Sequence, residues 1–246
     1  MQAASLGERQ AQNDTSSDSG GCQVSWRRLP VNFLHDQKNL WLFPVQLARG
    51  RHWLPTAALL GVTAGLLATD AHDTPYFRRT STFSEFNRLF NGTATAITIA
   101  AVPSALYGIG LVRKDSYAEQ TALLSGEAVL DNGLLAVAMK DISRRLRPSD
   151  IAPYGNFSGT FFRSHPTVIG AGSSFPSGHA QLAFSVATII ASRYGKRHAW
   201  LRWVAYGSAA TVGFSRITLQ SHFPSDVFVG AALGYSVSRF DVLRGH

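Results

Sequence analysis

The sequence predicts an all-α fold, a helical bundle of about six helices that spans a membrane. Three observations carry that reading. Two apolar runs, 53–69 and 90–112, are free of charge over lengths that reach across a hydrocarbon core. No stretch alternates with period two for long enough to build a sheet. The Lys and Arg residues fall mainly between the apolar runs rather than within them.

Taken in order, residues 1–23 are polar and poor in large apolar side chains, which predicts disorder, and no apolar h-region follows Met1. Residues 24–52 mix Trp26, Phe33, Trp41 and Phe43 with Arg27, Arg28, Lys38, Arg49 and Arg51, the composition of an interfacial lead-in. The helical domain proper is expected over residues 53–240, with a short tail at 241–246. Its first run, 53–69, is just long enough to span. Residues 70–91 are polar and mixed, but Phe83, Phe86, Leu89 and Phe90 recur at helical spacing and predict a short surface helix. The uncharged run 90–112 is the strongest spanning candidate, with a kink expected at Pro103. Residues 117–139 form a third run that carries Glu119, Glu127, Asp131 and Asn132, which must face the bundle interior or a wet cavity. A long loop, 140–175, precedes three more runs at 177–192, 203–215 and 223–238.

The formal net charge is +8 and the sequence pI about 10.1, while mean hydropathy is +0.01. The basic residues form no helical stripe with interleaved aromatics, so membrane lipid and an anionic substrate are the expected partners and nucleic acid is not. The single cysteine, Cys22, can form no internal disulfide and is read as incidental. In a six-span topology most of the basic loops share one side, which the positive-inside tendency makes cytoplasmic, although Arg78, Arg79 and Arg88 oppose it. The loop at 140–175 and the turn at 215–222 then meet on the non-cytoplasmic side.

Those two segments hold the candidate chemistry. Ser215-Arg216 is followed by His222-Phe-Pro224-Ser-Asp226. A helix starting near His222 sets that residue one turn from Asp226 and puts Pro224 in the first turn, where its missing N–H costs nothing. A carboxylate beside an imidazole fixes its tautomer and raises its basicity, as a nucleophilic histidine requires. Arg216 adds charge for an anion. The plainer reading is a helix cap with a local salt bridge. Lys140 and Arg147-Pro148 stand seven residues apart at a helix end, and Pro176-Ser177-Gly178-His179 opens the next apolar run. Pro176 near the first helical position leaves free N–H groups that suit an anion, with no side chain on Gly178 to obstruct it. Each piece alone also reads as ordinary capping or turn chemistry.

Together, in this order and spacing, Lys140 with Arg147-Pro148, Pro176 to His179, and Ser215-Arg216 with His222 and Asp226 resemble the three-part signature of the type 2 phosphatidic acid phosphatase family, without departure at its defining positions. The resemblance covers roughly residues 53–240. It implies a phosphatase needing no metal or other cofactor. A six-helix bundle in a multi-pass cell-membrane protein, with its site facing the non-cytoplasmic side by the loop charges, favours a phosphorylated lipid such as phosphatidic acid or an isoprenoid diphosphate. By the same resemblance His222 is the nucleophile, forming a phosphohistidine, Asp226 its orienting carboxylate and His179 the general acid. Lys140, Arg147, Ser177, Gly178 and Arg216 form the phosphate cradle.

Related functions share these residues. A vanadate-dependent haloperoxidase holds vanadate in the same oxyanion pocket, whereas vanadate would inhibit a phosphatase; such enzymes are usually larger and soluble. A soluble acid phosphatase acting on small phosphate esters is a second rival, and a non-enzymatic lipid-phosphate binder or carrier a third. Arg144 and Arg145 are read either as a second phosphate contact or as solvated loop charges. Tyr154, Phe157, Phe161 and Phe162 either line a substrate entrance or pack the loop.

Overall fold

The computed structural model describes residues 26–165 and 168–245. The expected disorder at 1–23 and the reading of Cys22 lie outside them. The described residues are helical and contain no strand. Among them, eight helices carry the fold: α1 (Leu29–Ala48), α2 (Trp53–Arg79), α3 (Ser84–Leu89), α4 (Gly92–Arg113), α5 (Ser116–Ser143), α6 (Gly178–Tyr194), α7 (Trp200–Thr218) and α8 (Pro224–Val237). A π-helical turn, Ser238–Val242, continues α8.

Six of the eight are the bundle helices that the apolar runs predict. The other two are the short helix at 84–89 and the lead-in, which forms a 20-residue helix. That lead-in is docked on the bundle, because Gln37 donates to the Asp131 carboxylate at 2.8 Å and Trp26 donates to the Tyr107 hydroxyl at 2.8 Å. α4 runs unbroken through Pro103. α5 starts under an Asp115 cap, whose side chain accepts from the Tyr117 and Ala118 N–H groups.

Three helical stretches are long and apolar enough to cross a membrane: Trp53–Arg79, Gly92–Arg113 and the one that begins at Ser116. Leu60, Ile97, Val112 and Trp203 each stand more than half exposed on the bundle exterior. An outside this apolar is that of a membrane protein. α6 and α8, at 17 and 14 residues, are shorter. They pack into the centre instead.

The packing of α8 on α6 fixes the site. A Cβ on Gly230 would stand 2.5 Å from the Ser177 carbonyl oxygen, and one on Gly234 would collide with that of Gln181. The two helices therefore touch backbone to backbone along a small-residue face. Next to it, buried Gln181 donates to Asn132 on α5 at 3.1 Å, which ties the three central helices together.

Gly234→Ala should cost about 2–3 kcal/mol, because backbone rather than a flexible side chain must move to admit the methyl group. Gly61→Ala on α2, where the new methyl meets nothing within 4 Å, should stay within about 1 kcal/mol of the parent and is expected to stabilise. Thermal unfolding in detergent checks both.

Candidate active site

Alternating chain direction brings the C-terminal ends of α2, α5 and α7 and the N-terminal ends of α4, α6 and α8 to one end of the bundle. All eight residues singled out from sequence lie there. Lys140 ends α5, Arg147 follows in the loop, Ser177 to His179 open α6, Arg216 ends α7, and His222 and Asp226 flank the start of α8.

The segment 173–177 is laced into the loop that follows α5. The Ser174 N–H donates to the Arg145 carbonyl at 2.8 Å, the Arg145 N–H to Ser173 Oγ at 3.0 Å, and Ser143 Oγ to the Phe175 carbonyl at 2.7 Å. Lys140 Nζ donates to the Ser173 carbonyl at 3.1 Å, and its Cε lies 3.8 Å from where a Cβ on Gly178 would stand. α6 begins at Gly178, so Pro176 lies before the helix rather than in its first turn. Ser177 is the N-cap residue, yet its hydroxyl makes no cap bond. Instead the Ser177 N–H donates to the Asp226 carbonyl at 3.0 Å, stitching the two halves of the site together.

Ser177 Oγ and Arg147 Nε are buried polar atoms with no hydrogen-bond partner. Such atoms are costly, and both lie at the end of the bundle where the cations gather. Unpaired donors beside Lys140, Arg216 and the open N–H groups of α6 make a receptor for an oxyanion. This donor set contains no carboxylate, thiolate or imidazole group arranged around a metal.

Arg216 is fully buried and multiply held. Its Nη2 donates to the Phe90 carbonyl at 2.6 Å and to Thr95 Oγ1 at 3.1 Å, and its Nε to Ser215 Oγ at 3.0 Å. The Arg216 carbonyl accepts from the N–H groups of Ser221 and His222 at 3.0 and 3.2 Å. That closing turn fixes the spacing between the two side chains.

α8 begins at Pro224, with Phe223 as its N-cap residue, so His222 lies just outside the helix. His222 Nδ1 is 2.6 Å from the Ser174 carbonyl oxygen and 3.8 Å from Asp226 Oδ2. A carbonyl only accepts, so Nδ1 carries the proton and Nε2 is left with its lone pair. The orienting acceptor is thus a backbone carbonyl, and Asp226 acts at longer range than the sequence suggests. Burial holds the His222 imidazole below its ordinary value, opposed by the Asp226 carboxylate. His179 Nε2 meets the Gly92 carbonyl at 2.9 Å.

Arg145 is neither a second phosphate contact nor a solvated charge. It is 2% exposed and spans two buried carboxylates, with Nη1 2.5 Å from Asp226 Oδ1 and Nη2 2.6 Å from Asp70 Oδ2. Arg144 is exposed. Of the four loop aromatics, Phe157 packs against Phe223 and Phe161 against Phe175, whereas Tyr154 and Phe162 stand in the open. Sequence reasoning missed Asp70, Gly92 and Ser174. Asp70 gave the one usable signal, a carboxylate at the end of an apolar run that needs a partner.

A family model described as the PAP2 superfamily matches residues 121–242, which contain all eight site residues. A lipid A 1-phosphatase of Rhizobium etli is 35% identical over 109 residues, 43% of this chain and 42% of that protein. One of Porphyromonas gingivalis is 43% identical over 67 residues, 27% of this chain and 15% of that protein. The chain thus matches less than half the length of these curated relatives. A transmembrane PAP2 type phosphatidylglycerolphosphate phosphatase of Bacillus subtilis superposes with a TM-score of 0.45 at 22% identity, covering 85% of this chain and 95% of that one. The signature residues and the matched segment coincide, and residues 121–242, just under half of the chain, match the PAP2 superfamily.

Proposed function

We propose that the protein is a metal-independent phosphatase that hydrolyses a lipid phosphate through a phosphohistidine on His222. The observation that carries this is the tautomer of His222: its Nδ1–H is held by the Ser174 carbonyl, so Nε2 keeps its lone pair beside an oxyanion receptor with unsatisfied donors. Lys140, Arg147 and Arg216, with Ser177 Oγ and the N–H of Gly178, receive the phosphoryl oxygens and compensate their charge.

The Nε2 lone pair attacks phosphorus, the bond from phosphorus to the lipid oxygen breaks, and that oxygen takes a proton from His179, whose ring is protonated once the negative charge of the bound phosphate stands beside it. Water then attacks the phosphohistidine and gives a proton back to His179. The P–N bond breaks, inorganic phosphate leaves and neutral His222 returns. Asp226 favours the cationic ring of the intermediate.

A lipid substrate is supported by an apolar groove of about 470 Å³ between α4, α6 and α7. Phe90 and Thr95 line it and also bond Arg216, so the groove begins where the phosphate cradle ends. The similarity to lipid A 1-phosphatases puts the phosphate of lipid A first among candidates, with phosphatidic acid and isoprenoid diphosphate as comparisons. A multi-pass topology with the site on the non-cytoplasmic face is supported by the shared helix ends and the basic residues between the runs.

The deciding experiment is phosphate release from these three lipids in detergent with a chelator present, for the parent and His222→Ala. Release should survive the chelator and fall at least about a thousandfold in the variant, since it lacks the proposed nucleophile. Chelator-sensitive release, or an active variant, would overturn the reading.

The acid limb of kcat/KM should also report on His222. The neutral ring is the reactive form, and its folded value lies below the ordinary 6.5. Activity should therefore persist as pH falls through that value and be lost only further into acid. The pH profile of kcat/KM measures it.

A further inference from the structure

We propose that Asp70 and Arg145 are positioning residues: Arg145, clamped between the Asp70 and Asp226 carboxylates, fixes the place of Asp226 and the share of its negative charge that reaches His222. The proposal rests on the phosphohistidine reading of the site. Asp70 lies on α2, outside the segment that the family model matches.

The arrangement is dry and closely bonded. Asp70, Arg145 and Asp226 are each at most 2% exposed. The guanidinium donates to Asp70 at 2.6 Å, to Asp226 at 2.5 Å, to Ser225 Oγ at 2.7 Å and to Thr160 Oγ1 at 3.0 Å, and lies 3.9 Å from the centre of the Phe223 ring. Asp70 also accepts from the Ser225 N–H at 3.2 Å and from the Ser225 hydroxyl. One side chain of α2 thus grips both the cation and the first turn of α8, which carries Asp226. Asp226 spends its other oxygen on the Phe223 N–H at 2.9 Å.

Two carboxylates share one guanidinium, so the trio carries one net negative charge. It stands beside a ring that becomes cationic when phosphorylated. If Asp70 were neutral, Arg145 would balance Asp226 alone and the compensation offered to His222 would shrink. The other charged or titratable groups around His222 are Lys140 on α5, Arg147 in the following loop, His179 on α6 and Arg216 on α7. Lys140, Arg147 and Arg216 are cations, which makes the negative trio the main support for a cationic ring.

A merely structural role for Asp70 predicts the opposite pH response. Losing the Asp70 charge makes the His222 cation harder to form and moves the acid limb of kcat/KM to lower pH. A loosened site would instead admit water to a ring whose value is depressed by burial, and would move the limb to higher pH.

The test is the pH profile of lipid phosphate release by the full chain in detergent, comparing the parent, Asp70→Asn and Asp70→Glu. Asp70→Asn should lower kcat about tenfold, leave KM within about twofold, and move the acid limb down by about half a pH unit. Asp70→Glu, which keeps the charge, should restore the limb. An unchanged or upward limb in Asp70→Asn overturns the proposal. Should that variant not fold, Asp70→Ser is measured in the same way, and failure of both to fold also overturns it, because Asp70 then acts through the fold alone. A parent without His222-dependent release is a different failure, that of the phosphatase reading, and is visible before any Asp70 variant is compared.

Discussion

The site depends on backbone contact between α6 and α8. Gly230 and Gly234 let the two helices approach until a Cβ would collide with carbonyl oxygens at the start of α6, and at that separation the Ser177 N–H reaches the Asp226 carbonyl. The turn that opens α6 and the turn that carries His222 are thereby held as one piece. A larger residue at either glycine would separate the unpaired Ser177 hydroxyl from the His222 ring. In an apolar surrounding, where burial of side chains gives helices little reason to associate, close van der Waals packing of this kind supplies much of the attraction.

Charge at this end of the bundle divides into two sets. Arg145 is consumed internally by Asp70 and Asp226, inside a shell of Phe161 and Phe223 rings. Lys140, Arg147 and Arg216 have no carboxylate within salt-bridge distance among the described residues. Carbonyls and hydroxyls orient Lys140 and Arg216 without cancelling their charge. Removing one member of a buried ion pair commonly costs about 3–5 kcal/mol, because the other is left uncompensated. The internal set therefore resists change, while the second set keeps its charge for an incoming anion.

Much of this was legible in the sequence, for a physical reason. Charged groups and imidazoles at the ends of apolar runs are expensive unless used, so Lys140, Arg147, His179, Arg216, His222 and Asp226 stood out against their surroundings. The helices were legible from the same contrast. The partners were not. His222 is oriented by the carbonyl of Ser174, His179 by that of Gly92 and Arg216 by that of Phe90. Every residue has a carbonyl, so no side-chain pattern marks the three that matter. Arg145 was misread because it sits beside exposed Arg144 and near Arg147. Which of three neighbouring arginines turns inward depends on where Asp70 arrives from α2, a tertiary fact.

On the phosphatase reading, the N-terminal end of α4 would connect the two halves of a lipid phosphate. Its Gly92 carbonyl holds His179, while Thr95, with the Phe90 carbonyl just before the helix, holds Arg216. Phe90 and Thr95 also begin the apolar groove, which continues along α4 past Ile99 and Val102. On the phosphatase reading, the proton donor and one phosphate ligand are thus referenced to the same helix that would lie against the lipid's apolar part. His179 bonded to Gly92 has its Nε2 proton directed at a carbonyl, and a leaving oxygen must replace that acceptor for the proton to transfer. A phosphate ester whose chain settles along α4 brings its leaving oxygen to the end of that helix. An ester without a chain has no such guide, and the loss should appear in kcat as well as in KM, because remote binding then no longer positions the reacting bond.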